Sequence, residues 1–170
     1  MKKDRRGQDR FLIAIVVGIV LLVAAAIVVA LLRGGPPAYK PDDTADSVAY
    51  NYLLALRQGD YARAYGYLSP TLPHYPANTD QFVQDVRSAG WPFNPSGEDV
   101  ALAVDKVIPG ETQTIVQVRE TRYYQGGPFN SGEYNDTFDV VLKNEADGWR
   151  IIDAGRYWYG CWSSIAQNCK

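Results

Sequence analysis

A carboxyl group set among apolar side chains, with a hydroxyl close by, is a minimal arrangement for moving a proton or holding a polar ligand. Strand parity nominates two such acids. In YNDTFDVVLK, Tyr134, Asp136, Phe138, Val140 and Leu142 share one face, and Asn135, Thr137, Asp139 and Val141 share the other. The apolar count turns the Phe138 face inward and carries Asp136 with it near the strand start. In WRIIDAGRYWY the same alternation sets Asp153 with Trp149, Ile151 and Tyr157. Asp105, beside Val104, falls on the solvated side. Hydroxyl partners come from RQGDYARAYGYLSP, where Tyr61 and Tyr65 recur on one stripe with Ala64 and Leu68.

Other chemistries lack their parts. His74 is the sole histidine, in a loop between prolines, so no Ser-His-Asp arrangement can be assembled and no metal site can be completed. Gly126-Gly127-Pro128 lacks the lysine and the following helix of a phosphate-binding loop. No cofactor is expected. The sequon Asn135-Asp136-Thr137 lies on a strand and carries no expectation.

The residues from Phe11 to Leu32, FLIAIVVGIVLLVAAAIVVALL, include no charged or polar side chain. A helix of that length is about 33 Å long, enough for a hydrocarbon core of about 30 Å. The stretch exceeds the roughly 7–15 apolar residues of a cleaved signal peptide, and RGGPP after it offers no small-x-small cleavage site, so an uncleaved signal anchor is expected. Lys2, Lys3, Arg5, Arg6 and Arg10 precede it; Arg33 and Lys40 follow. That asymmetry predicts a cytoplasmic tail over 1–10, a span over 11–32, and the remainder outside the cytoplasmic membrane. From Gly34 onward there are 11 basic and 17 acidic residues, a net charge of −6. Such a surface excludes nucleic-acid binding and tight docking on anionic lipid.

Residues 33–43 read as a Pro/Gly linker and 44–170 as one domain. Thr44 or Asp46 can cap a helix whose apolar face is Ala45, Val48, Ala49, Tyr52, Leu53 and Leu56. Gly59 suits the left-handed residue that ends it, and Asp60 caps the next helix, which Ser69-Pro70 stops. A third helix follows, capped by Thr79 or Asp80, with Phe82, Val83 and Val86 apolar. From Glu98 the period changes to two. Four strands are expected: around Val100–Val104 and on to Pro109, Thr112–Tyr124, Tyr134–Lys143 and Trp149–Tyr159. Three helices followed by an antiparallel four-stranded sheet make an α+β domain.

The last stretch, RYWYGCWSSIAQNC, is crowded with aromatics. Along one strand, Trp158 with Arg156 or Tyr157 with Tyr159 must face out. Either an exposed patch of Trp158, Tyr159 and Trp162 awaits a protein partner, or the tail folds back over the domain and buries them. Cys161 and Cys169, the only cysteines, have seven residues between them. Outside the cytoplasm they can close a disulfide contributing about 2.5 kcal/mol; the other reading is two separate thiols.

Gly59-Asp60-Tyr61, Ala64-Tyr65, Leu68-Ser69-Pro70 and Asp147-Gly148-Trp149-Arg150-Ile151, in that order, resemble the nuclear transport factor two-like superfamily over about Asp46 to Trp158. The resemblance implies three helices packed in the concave side of a strongly curved sheet, forming a cone. It implies that Tyr61, Tyr65 and Leu68 face the sheet, as core aromatics or as the lining of a cavity for a small apolar ligand. It admits a cavity enzyme of isomerase or dehydratase type resting on Asp136 or Asp153 with Tyr65. It also admits sheet-face homodimers, and a scaffold similar to the bitopic assembly proteins of type IV secretion. The favoured expectation is a non-enzymatic binding or scaffold module for a small apolar ligand or an envelope protein partner.

Overall fold

In a computed structural model, residues 5–32, 37–90, 99–125 and 131–164 are described. The chain divides into two units, Met1–Ala38 and Tyr39–Lys170. The first is one helix, α1, Arg5–Leu32. Its window Leu12–Val29 has a mean hydropathy of 3.4 and none of it is buried, so α1 is long and apolar enough to cross a membrane.

The second unit is α+β. Helices α2 (Ala45–Gln58), α3 (Tyr61–Gly66) and α4 (Thr79–Ser88) precede strands β1 (Asp99–Pro109), β2 (Thr114–Gln125), β3 (Ser131–Glu145) and β4 (Gly148–Asp153). The strands form one curved antiparallel sheet in the order β1-β2-β3-β4. Helix α2 touches all four strands. Its apolar stripe, with Val48, Ala49, Tyr52 and Ala55 almost wholly buried, faces Val116 and Val118 of β2, Val140 and Leu142 of β3 and Ile151 of β4.

The break after α2 is a stop and a start. Gly59 takes the left-handed conformation (φ 71°) and its N–H reaches back to the Ala55 and Leu56 carbonyls. Asp60 then accepts from the Arg63 amide and caps α3. Leu68 and Ser69 run alongside β4: Ile151 N donates to Tyr67 O at 2.8 Å, and Ser69 N donates to Ile151 O at 2.9 Å. Helix α3 therefore ends at Gly66, before Ser69-Pro70 rather than at it, because Tyr67 to Ser69 leave the helix to pair briefly with the outer edge of β4.

Several details differ from the sequence reading. Asn78 caps α4, its side chain accepting from Gln81 N at 2.9 Å, because it alone adopts the extended backbone a cap needs. Thr44 holds the N-cap position of α2 with an extended backbone, but its hydroxyl donates to Ser47 Oγ and caps no amide. Residues 39–42 are fastened to α2: Asn51, fully buried, donates to Lys40 O and Asp42 Oδ1 and accepts from Lys40 N. The last strand stops at Asp153. Gly155 turns the chain at φ 52° into a short 3-10 helix, Gly155–Tyr157, so parity no longer governs the aromatics that follow.

Candidate functional site on the helix-facing sheet surface

The alternation in β2 places Val116, Val118, Glu120 and Arg122 on the helix-facing side. Register then sets Glu120 between Leu102 of β1 and Asp136 of β3, and Val118 beside Phe138. Glu120 is fully buried. A lone carboxylate at such a depth would be intolerable, and two guanidiniums answer it. Arg122 Nε donates to Glu120 Oε1, and Arg156 Nη1 lies 3.5 Å from Oε2, an atom that makes no hydrogen bond. Arg156 also donates to Asp136 Oδ2, so it joins two acids on neighbouring strands.

Tyr157 closes the cluster from the 3-10 turn. Burial, and then the charge of the nearby Glu120 carboxylate, push its hydroxyl pKa well above the usual tyrosine range. The ring packs on Phe138 at 5.3 Å between centroids, and the Tyr157 carbonyl accepts from Tyr52 OH of α2 at 2.9 Å. Among these four described residues the charges balance, two carboxylates against two guanidiniums. The cluster is graded in access: Glu120 is sealed, while the Arg156 and Asp136 side chains remain 26 % and 35 % exposed. Chemically this is a polar grip at the rim of an apolar wall. Each carboxylate that would take a proton from a substrate already faces a guanidinium group, and the second Asp136 oxygen, Oδ1, accepts from Thr137 N at 2.8 Å.

Of the acids nominated by parity, Asp136 lies in this cluster. Asp153 does not. A bulge between Val141 and Leu142 pairs Asp153 with Val141, one step off the Leu142–Ile151 register, and its Oδ1 accepts from Gly155 N at 2.7 Å. The acid closes the turn. Tyr65 is drawn elsewhere too. Its hydroxyl donates to Pro76 O, and its ring packs on Tyr75 and Phe82, toward α4. Tyr61 is half-buried against the core, and Leu68 is buried against β4.

Of the two readings of the aromatic tail, its described residues take the one in which it folds back and buries its tryptophans. Trp158 and Trp162 are 8 % and 1 % exposed, and Tyr159 is half-buried. Trp162 stacks on Phe82 at 5.1 Å and meets Trp158 edge-on at 4.9 Å. The reason is the break at Gly155: the chain curls back onto α4 instead of continuing as a strand with one face outward. Cys161 is half-buried, and Cys169 lies outside the described residues. Among the described residues no group of three or more His, Cys, Asp or Glu side chains is placed to hold a metal.

Glu120, Arg122 and Arg156 escaped the sequence reading. Glu120 and Arg122 follow from the alternation already visible in TIVQVRETRYY. Arg156 had no such signal, because its place depends on where β4 stops.

No family model matches this chain, and no curated protein matches it. Among solved structures it is similar to one described as a calcium/calmodulin-dependent protein kinase type II association domain from Thiobacillus denitrificans. That likeness has a TM-score of 0.46 at 16 % identity, over 69 % of this chain and 94 % of the other.

Proposed function

We propose that the chain is a single-pass, membrane-anchored binding or scaffold module of the nuclear transport factor two-like type. In this reading α1 is an uncleaved anchor with its N-terminus in the cytoplasm, and the α+β unit stands outside the cytoplasmic membrane. The length and apolarity of α1 and the basic residues before it support the anchor. Cys161 and Cys169 pair in that oxidising setting, so reduction of the intact chain adds about 2 Da.

One observation carries the binding role: a quartet of opposite charges, Glu120, Arg122, Asp136 and Arg156, set into a wall that is otherwise mostly apolar. Apolar residues of similar volume would serve a core as well or better, since buried ion pairs return little net stability. The quartet therefore serves recognition. Its ligand is small, with an apolar body for the Leu102–Val104–Phe138 surface and a polar end that competes for Arg156 and Asp136. Engagement of both acids by arginine weighs against an isomerase-type mechanism with Asp136 as proton acceptor.

The test is native mass spectrometry of the full chain released from membranes in mild detergent. A co-purifying mass of a few hundred daltons, lost in Arg156→Leu, supports the reading. A bare chain together with an unchanged ligand profile in Arg156→Leu refutes a ligand at this site. Protease treatment of intact spheroplasts checks the anchor: the α+β unit must be accessible and the N-terminal tail protected.

A further inference from the structure

A second concavity lies away from the quartet, where α4, the loop before it and the C-terminal segment meet. Its volume is about 180 Å³, and Asp85, Tyr75, Tyr159, Trp162 and His74 line it. That is below the roughly 300–1,000 Å³ of drug-sized pockets, so its occupant has few heavy atoms.

Among the described residues Asp85 is the only carboxylate in the lining, and no lysine or arginine lines it. Its Oδ2 accepts from Trp162 Nε1 at 2.7 Å, which fixes the carboxylate against the aromatic column. No ion pair involving Asp85 is present among the described residues. A half-buried anion with no cationic partner among the described residues, walled by tyrosines, favours a positive guest. Aromatic faces attract a cation through their quadrupole, and alkyl groups on that cation gain apolar contact with the same rings. A metal ion would find a single carboxylate and one imidazole, too few ligands to replace its water.

We propose that this pocket binds a small organic ammonium, with Asp85 as counter-ion and the Tyr75 and Tyr159 rings as walls. The site shares no residue with the quartet, so it stands or falls separately from the binding role proposed above.

The probe is tetramethylammonium, titrated against the full chain in maltoside micelles, whose headgroups carry no charge, and followed by the line width of its methyl NMR signal. Wild-type protein broadens the line saturably. Asp85→Asn keeps an acceptor for Trp162 Nε1 but loses the charge, and affinity falls about tenfold or more. Tyr159→Leu removes one wall without touching the charge and also weakens binding. The uncharged tert-butanol binds far less well than the cation. Absence of saturable binding, equal affinity in Asp85→Asn, or equal affinity for tert-butanol would each overturn the proposal.

Discussion

Arg156 Nη1 stands 3.5 Å from Glu120 Oε2, so a side chain from the turn after the last strand reaches a carboxylate on β2, with β3 between them. The same guanidinium donates to Asp136 on the intervening strand. One residue beyond the sheet thus ties two of its strands together on the helix-facing side. Glu120 is the member that all the others depend on, because it alone is wholly sealed from water.

Replacing Glu120 by Gln should therefore leave Arg122 and Arg156 without their shared counter-charge. Both guanidiniums keep some contact with water, at 17 % and 26 % side-chain exposure, so the expected loss is about 3 kcal/mol, the low end for a broken buried pair. The urea midpoint of the full chain in micelles, read by near-ultraviolet circular dichroism, measures it. Replacing all four charged members by leucine should recover most of that loss while abolishing ligand capture. A Glu120→Gln variant as stable as wild type would mean that the network carries no structural load.

Gly155 makes the geometry of Arg156 possible. At φ 52° a side chain is strained whatever the space, and a Cβ there would meet Asp139 O at 3.2 Å and the Phe138 ring at 3.3 Å. Gly155→Ala should lower stability by about 1–3 kcal/mol. It should also disturb the Phe138–Tyr157 ring contact, visible as altered aromatic circular dichroism before any unfolding. Gly66→Ala is the control, since nothing lies within 4 Å of a Cβ there and its φ is not positive.

The contrast between Asp136 and Asp153 shows what alternation can and cannot reveal. Asp136 was legible because β3 is regular around it, and Phe138, Val140 and Leu142 fix its face. Asp153 was misplaced because a bulge at Val141/Leu142 shifts the register, and no residue type in the sequence announces that bulge. The helices were legible through Gly59 and Asp60, whose chemistry is local. Tyr65 was not, since its neighbours Tyr75 and Phe82 come from a loop and a helix whose approach is tertiary. Burial of Trp158 and Trp162 turned on a single glycine conformation, which composition leaves open.

Asn51 is the latch for the segment entering the α+β unit. It is fully buried and uses both ends of its amide, donating to Lys40 O at 2.8 Å and Asp42 Oδ1 at 2.6 Å and accepting from Lys40 N at 2.8 Å. Asn51→Leu strands the Lys40 amide and carbonyl, and the expected loss is about 2–3 kcal/mol. Hydrogen exchange offers the sharper reading: the Lys40 amide should lose its protection while the amides of β2 and β3 keep theirs. Simultaneous loss in the sheet would show that the latch belongs to the cooperative core.

Alkaline stability follows from the buried tyrosines. Burial foremost, and then the Asp153 charge, hold Tyr52 well above its ordinary pKa; burial and Glu120 do the same to Tyr157. In the unfolded chain both ionise near pH 10. Below that pH the folded and unfolded states bind the same protons at these groups, and their contribution to stability is fully present. Above it the unfolded state sheds protons that the folded state retains, so stability falls as pH rises, by about 1.4 kcal/mol per pH unit for each residue. Urea midpoints should decline from about pH 10 upward, with tyrosinate absorbance appearing together with unfolding. Tyr52→Phe removes one of the two contributions and should flatten that decline, even though losing the bond to Tyr157 O costs about 1 kcal/mol at neutral pH. An unchanged alkaline slope in Tyr52→Phe would mean that Tyr52 ionises without unfolding the chain.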